Sequence, residues 1–142
     1  MNTPTKKLPQ IGIFACFSGG SNSGSITGLA ALEVAKRLGT ERVGVCSLPA
    51  ILNQVPRQVA LVKAIEKIII IDGCHNGCAR QLLRNVGIEP TIYINLEENL
   101  GITKQGPFSG SDYTEQEVQT AIDALIAAVS TLTEPNLTPP FP

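Results

Sequence analysis

The sequence predicts a single α/β domain of three layers, in which helices cover both faces of a mostly parallel, four-stranded sheet. Short apolar segments alternate along the chain with segments whose apolar residues recur at helical spacing. One apolar segment contains four consecutive isoleucines, and β-branched residues without polar alternation indicate a central strand that is buried on both faces. The simplest doubly wound strand order is 2-1-3-4, and the alternative is a mixed sheet with one antiparallel edge strand.

The first half of the chain carries two predicted strands and two predicted helices. Residues 11–17 are apolar and bounded by Pro9 and Gly19, which indicates the first strand. Residues 25–38 place apolar side chains on one helical face, and Gly39 ends that helix. The second strand is predicted at 43–47 and the second helix at 56–64, where Pro56 suits the first turn.

The second half repeats the alternation. The isoleucine-rich third strand is predicted at 67–72, and a helix at 77–86 is closed by Gly87. The fourth strand is predicted at 91–96. Asp112, with Glu115 three residues later, has the spacing of a capping box and predicts a last helix that runs to about Leu132.

The domain is expected to span residues 9–132, with loose termini at 1–8 and 133–142, because the last nine residues (EPNLTPPFP) are too rich in proline for a helix or central strand. The net charge of −1 and the absence of Trp predict no nucleic-acid partner and no anionic-lipid surface. No apolar run, including the four isoleucines at 68–71, approaches the length of about 20 residues that is needed to cross a membrane. The composition does not indicate an oligomeric state.

A cytoplasmic location is predicted, because the N-terminal residues lack the pattern of a signal peptide. Thiols stay reduced in that compartment, so the even number of cysteines, four, favours a metal site or catalysis over disulfides.

The cysteines lie where the topology would bring them together. Cys16 and Cys46 stand near the ends of the first and second strands, Cys74 follows the third strand, and Cys78 opens the next helix. Because parallel strands end at one edge of a sheet, we expect the four thiols to converge there and bind zinc. An iron–sulfur cluster is the alternative cofactor, and a thiol enzyme or redox protein that uses Cys74 and Cys78 is the alternative function. Cys16 or Cys46 taken alone is equally well explained as a core residue.

At these residues the chain resembles the DGC-domain family, small zinc-binding proteins that are named for an Asp-Gly-Cys motif. The motif stands here at 72–74, and Cys78 follows it. The segment 16–21 (CFSGGS) is similar to the family's first cysteine, which enters a Gly/Ser loop before a helix, and Cys46 fits the cysteine of the second strand. The resemblance covers most of the chain, about residues 10–130, and implies that the four cysteines chelate zinc.

Further features leave alternatives open. The Gly/Ser-rich stretch 18–25 either presents backbone N–H groups to a small anion or forms a flexible turn. The spacing from Cys74 to Arg80 matches a thiol phosphatase loop, but Gln81 replaces the hydroxyl residue usual after the arginine.

Three more side chains lie near the predicted edge. His75, the only histidine, is either a ligand, a proton carrier or a solvent-facing residue. Asp72 is either an acid or ligand partner, or a turn and helix-cap residue. Lys104, in the stretch 101–104 (GITK) that is also similar to the family, lies in a long loop that is either a functional lid or solvated.

Overall fold

A computed structural model, which describes residues 7–133, places a sheet of four parallel strands between two layers of helices. The strands are β1 (Ile11–Ala15), β2 (Val43–Val45), β3 (Lys67–Asp72) and β4 (Ile92–Asn95). The helices are α1 (Asn22–Leu38), α2 (Leu48–Leu52), α3 (Pro56–Ala64), α4 (Cys78–Asn85), α5 (Leu96–Leu100) and α6 (Glu115–Thr133). The strand order β2-β1-β3-β4 confirms the predicted order, and the mixed-sheet alternative is wrong because every pairing is parallel.

Two apolar cores lie on opposite faces of the sheet, because successive strand residues point to opposite sides. In β3, Ile69 and Ile71 enter the core formed with α1 and α6, whereas Ile68 and Ile70 enter the core formed with α2, α3 and α4. All four isoleucines are at most 6% exposed, and burying each contributes roughly 1.5–3 kcal/mol. The isoleucine run is therefore the central strand that the sequence predicted.

Three predicted strands, β1, β2 and β4, are shorter than expected, and the last two of these stop before short helices that the sequence analysis missed. The Ser47 side chain accepts a hydrogen bond from the Ala50 N–H and caps α2. The Asn95 side chain accepts hydrogen bonds from the N–H groups of Glu97 and Glu98 and caps α5. Polar residues that were assigned to strand ends are instead helix caps, since their side chains replace the missing intrahelical acceptors.

The ends of the longest helices also differ from prediction. The Ser21 hydroxyl caps α1, which therefore starts at Asn22 rather than at residue 25. The capping box of α6 is formed by Thr114 and Glu117, whose side chains each accept the other's backbone N–H at 3.1 and 2.9 Å. The predicted box of Asp112 and Glu115 is wrong, because the chain still turns at Asp112, whose N–H donates to the Ser109 carbonyl.

The predicted loose termini, 1–8 and 133–142, lie outside the described residues except for Lys7, Leu8 and Thr133. Of these, Thr133 is the last residue of α6. Across residues 7–133, none of the helices has both the length and the apolar character needed to span a membrane.

Candidate functional site

A cavity of about 170 Å³ opens at the carboxyl edge of the sheet. Three of the predicted site residues line it: Cys16 after β1, Cys74 after β3 and Cys78 at the first position of α4. The other polar lining residues are Ser18, Ser21, Ser23, Asp72, Asn76 and Lys104. The cavity thus gathers thiols, hydroxyls and one ammonium group from separate segments of the chain.

Cys46 is not brought to this cavity. The register pairs Ile13 with Val45, so Cys46 is level with Phe14, two residues or roughly 6–7 Å of strand before Cys16. Its sulfur leans toward the amino end of the sheet, where a Cβ built on Gly12 would lie 2.9 Å from it. The thiol lines a separate groove of about 790 Å³, and burial raises its pKa to about 11. These are the properties of a thiol packed against the core, the alternative that the sequence left open.

The turn after β1 fixes the position of Cys16. Phe17 adopts a left-handed conformation (φ 52°), which costs an ordinary residue roughly 1–2 kcal/mol. Its backbone N–H donates to the Thr27 hydroxyl at 3.1 Å, and the Cys16 sulfur lies 3.4 Å from the same oxygen. The Phe17 ring occupies the space beside Gly28, where any Cβ would overlap it. The turn is therefore anchored to α1 through Thr27 and Gly28.

Asp72, the last residue of β3, caps the helix that carries Cys78. Its buried carboxylate accepts the N–H groups of Ala79 and Arg80 at 2.9 and 3.0 Å, and the Tyr93 hydroxyl at 3.0 Å. A negative charge at a helix start is stabilised by the aligned backbone dipoles. Asp72 thus acts as a helix cap across the loop, and this cap sets where α4 presents Cys78.

Gly73 and Cys74 are held by close backbone contacts. A Cβ on Gly73 would lie 2.8 Å from the Ser23 carbonyl carbon, so only glycine allows the loop to touch the first turn of α1. The side-chain amide of Asn95 donates to the Cys74 carbonyl at 2.7 Å. The three residues of the Asp-Gly-Cys motif therefore have different roles, since Asp72 caps a helix, Gly73 permits the close approach and Cys74 supplies the thiol.

Lys104 enters the cavity from the long loop between α5 and α6. Its Nζ lies 3.7 Å from the Cys74 sulfur. The fully buried Asn22 holds the loop on both sides of the lysine, because its amide donates to the Thr103 carbonyl at 3.0 Å and accepts the Gln105 N–H at 2.7 Å. The loop is thus fixed to the start of α1 and presents Lys104 to the thiols.

His75 and Arg80 make their contacts elsewhere. The His75 ring and backbone N–H both bond to the Glu97 carboxylate, and these two bonds lower the pKa of Glu97. The Arg80 guanidinium lies 4.4 Å over the Tyr93 ring. Neither side chain is among the residues that line the cavity. This arrangement does not support a phosphatase loop, in which the arginine would face the thiolate and hold the substrate oxygens.

The charges around Cys78 disfavour its thiolate form. Its pKa is raised, first by desolvation and then by the negative charges of Asp72, Cys74 and Cys16, whereas Lys104 lowers it. A divalent cation would reverse this balance, because it attracts each negative group that otherwise repels the others. Within residues 7–133, however, no three His, Cys, Asp or Glu side chains are already arranged as a metal-binding group. The thiols share a cavity but are not preset for coordination.

Sequence reasoning missed several residues that shape this site. Asn22, Thr27, Tyr93 and Asn95 each bond to a lining residue or to its loop. The one local signal was Asn22, which interrupts the Gly/Ser stretch. The other three are ordinary helix and strand residues whose partners lie 10–21 residues away in sequence.

Comparison with known proteins connects this site to a family. A family model described as "DGC domain" matches residues 12–125, which include all four cysteines, the Asp-Gly-Cys motif and Lys104. Searches of curated proteins and of solved structures each returned no match.

Proposed function

This chain belongs to the DGC-domain family, and from that premise and its cysteine-lined cavity we propose that it binds a zinc ion through Cys16, Cys74 and Cys78. The single observation that carries the proposal is that three thiols from three segments line one cavity. Cys46, the fourth cysteine of the predicted set, is left out because its sulfur lies against Gly12 in the other groove.

The donor set suits a thiophilic ion. Zinc is commonly held by thiolates, and three protein ligands leave one of its usual four positions for water or a substrate. Cys78 is exposed, while Cys16 and Cys74 are half-buried, so the three thiols are accessible to an entering ion and their side chains can change rotamer. Coordination would then be coupled to the ordering of the side chains, as is usual when metal binding and folding are linked.

The proposal is tested by metal analysis of the full chain, purified without a nickel column. We expect about one zinc ion per chain for the wild type. Cys16→Ser, Cys74→Ser and Cys78→Ser should each lose most of it, because a hydroxyl is a poor replacement for a thiolate at zinc. Cys46→Ser is the matched control, and it should retain the wild-type zinc content.

Three results would decide against this assignment. A folded wild-type chain with no metal and four reactive thiols would refute metal binding altogether. Loss of zinc from Cys46→Ser as complete as from the other variants would restore the four-cysteine site. A brown protein with visible absorption after anaerobic purification would replace zinc by an iron–sulfur cluster.

The second candidate function is thiol chemistry at Cys74. The observation in its favour is the Lys104 ammonium 3.7 Å from the Cys74 sulfur, since a nearby cation stabilises a thiolate. The raised pKa of Cys78 opposes a reactive pair. Labelling with iodoacetamide at mildly acidic pH separates the two functions: a metal-free protein in which Cys74 reacts faster than a free thiol supports thiol chemistry.

A further inference from the structure

We propose that Lys104 makes the remaining position at the three-cysteine site selective for a small anion, an inference that rests on the proposed metal site. Two independent features support it: the lysine is held at the cavity by a buried side chain, and its charge balances that of the thiolates. The anion is the substrate or the exchangeable ligand of the site.

The position of Lys104 is set by the fold rather than by its own side chain. Asn22 is fully buried, and the NH₂ and carbonyl groups of its side chain make hydrogen bonds with the backbone on either side of Lys104. Two further bonds hold the same loop: the Asn22 N–H donates to the Ser109 hydroxyl at 3.1 Å, and the Ser25 hydroxyl donates to the Gly110 carbonyl at 2.6 Å. The loop therefore keeps the lysine beside the cavity and is not a mobile lid that carries it away.

The charges of the site explain why this lysine matters. A divalent ion with three thiolates has a net charge of −1, and such a set repels a further anion. The Lys104 ammonium brings the summed charge of the ion, the three thiolates and the lysine to zero, and it offers hydrogen-bond donors to the incoming ligand. Asp72 also lines the cavity, and its carboxylate is engaged by two helix N–H groups and by the Tyr93 hydroxyl. Among the residues that line the cavity, Lys104 is the cationic one and so is the group that can offset its negative charge.

The size of the cavity limits the ligand. Pockets for drug-sized molecules are usually about 300–1,000 Å³, whereas this cavity is about 170 Å³ and also has to hold the ion. Hydroxyl groups of Ser18 and Ser21 line the same space and can donate to a ligand with few atoms. The chemistry is therefore that of a compact anion with one donor atom for the metal and one acceptor for the lysine.

The test uses the full-length chain loaded with Co²⁺, whose visible bands report changes at the metal, and titrates it with sodium thiocyanate at constant ionic strength. The wild-type bands should shift and saturate. Lys104→Gln should bind as much cobalt but require roughly 10- to 100-fold more thiocyanate, the loss expected for one charged hydrogen-bond partner. Lys104→Arg should recover most of the affinity, and Lys36→Gln, an exposed lysine on α1, is the matched control.

The outcomes separate this inference from the metal proposal beneath it. Cobalt-loaded Lys104→Gln with wild-type thiocyanate affinity would overturn the role of the lysine and leave the metal site intact. Wild-type bands that do not respond to thiocyanate would overturn the anion position. A wild-type chain that takes up no cobalt would overturn both proposals.

Discussion

Removing the Asp72 carboxylate should destabilise the domain more than any ordinary surface change, because three donors depend on it. Asp72→Ala leaves the Ala79 and Arg80 N–H groups without their cap and removes an acceptor from the Tyr93 hydroxyl. Loss of a helix cap costs about 0.5–2 kcal/mol, and a hydrogen bond to a charged group contributes about 1.5–3 kcal/mol. Since these terms overlap, we expect the free energy of unfolding to fall by about 3–4 kcal/mol.

Two further variants divide this loss between its parts. Tyr93→Phe removes only the hydroxyl and should cost about 1 kcal/mol. Asp72→Asn keeps one side-chain oxygen as an acceptor, so its loss should lie between those of the other two variants. The matched control is Asp123→Ala, an exposed aspartate on α6, whose effect should stay within about 0.5 kcal/mol.

The measurement is urea unfolding followed by far-UV circular dichroism, because the chain has no Trp to report by fluorescence. Excess chelator in every sample removes any contribution of a bound metal to the stability. If Asp72→Ala lost less than about 1 kcal/mol, as little as Tyr93→Phe, the carboxylate would not be the cap of α4 and the reasoning about the motif would fail.

Two other predictions concern backbone packing and alkaline pH. Gly73→Ala should lower the free energy of unfolding by about 1–3 kcal/mol and lose part of its zinc, because the new Cβ would lie 2.8 Å from the backbone of α1. Gly106→Ala is the control and should change neither quantity, since the space around that residue is open. Equal effects in the two variants would contradict the close approach at Gly73. Burial raises the pKa of Cys46 from 9.0 to about 11, so the folded state favours the protonated thiol. The contribution of this thiol to the free energy of unfolding is therefore fully present below pH 9 and is lost as the pH rises from 9 to about 11. Over that range the wild type should lose roughly 2–3 kcal/mol more than Cys46→Ala, and parallel urea-unfolding curves against pH would refute the burial of this thiol.

The layered architecture could be predicted because its signals are local. The isoleucine run of β3 and the glycines that end two helices mark elements within a few residues of themselves. The strand order followed from the short connections and the right-handed crossover, which leave few arrangements. Ser47 and Asn95 were misjudged because a polar residue after a strand looks the same whether the chain continues or a helix starts there.

The site was predicted only as far as topology determines it. The sequence placed three thiols together, because each lies within a few residues of the end of a parallel strand: Cys16, Cys74 and Cys78. The position of Cys46 depends on the register of β2 against β1, which no local pattern specifies. This register places Cys46 two residues short of the level of Cys16, and its thiol therefore lines the other groove. The fixing of Lys104 by Asn22 depends on a contact across more than 80 residues and has no local signal.

The contact between Asn22 and the Lys104 loop also orders events during folding. The side-chain amide of Asn22 makes hydrogen bonds to residues 81 and 83 positions further along the chain. The cavity is therefore complete only when the start of α1 meets the loop that precedes α6. Contacts of such high sequence separation form late, after local helices and turns. Until then Cys16, Cys74 and Cys78 lie on segments that are not yet joined, so the cavity that gathers the three thiols is a property of the completed fold and not of any one segment.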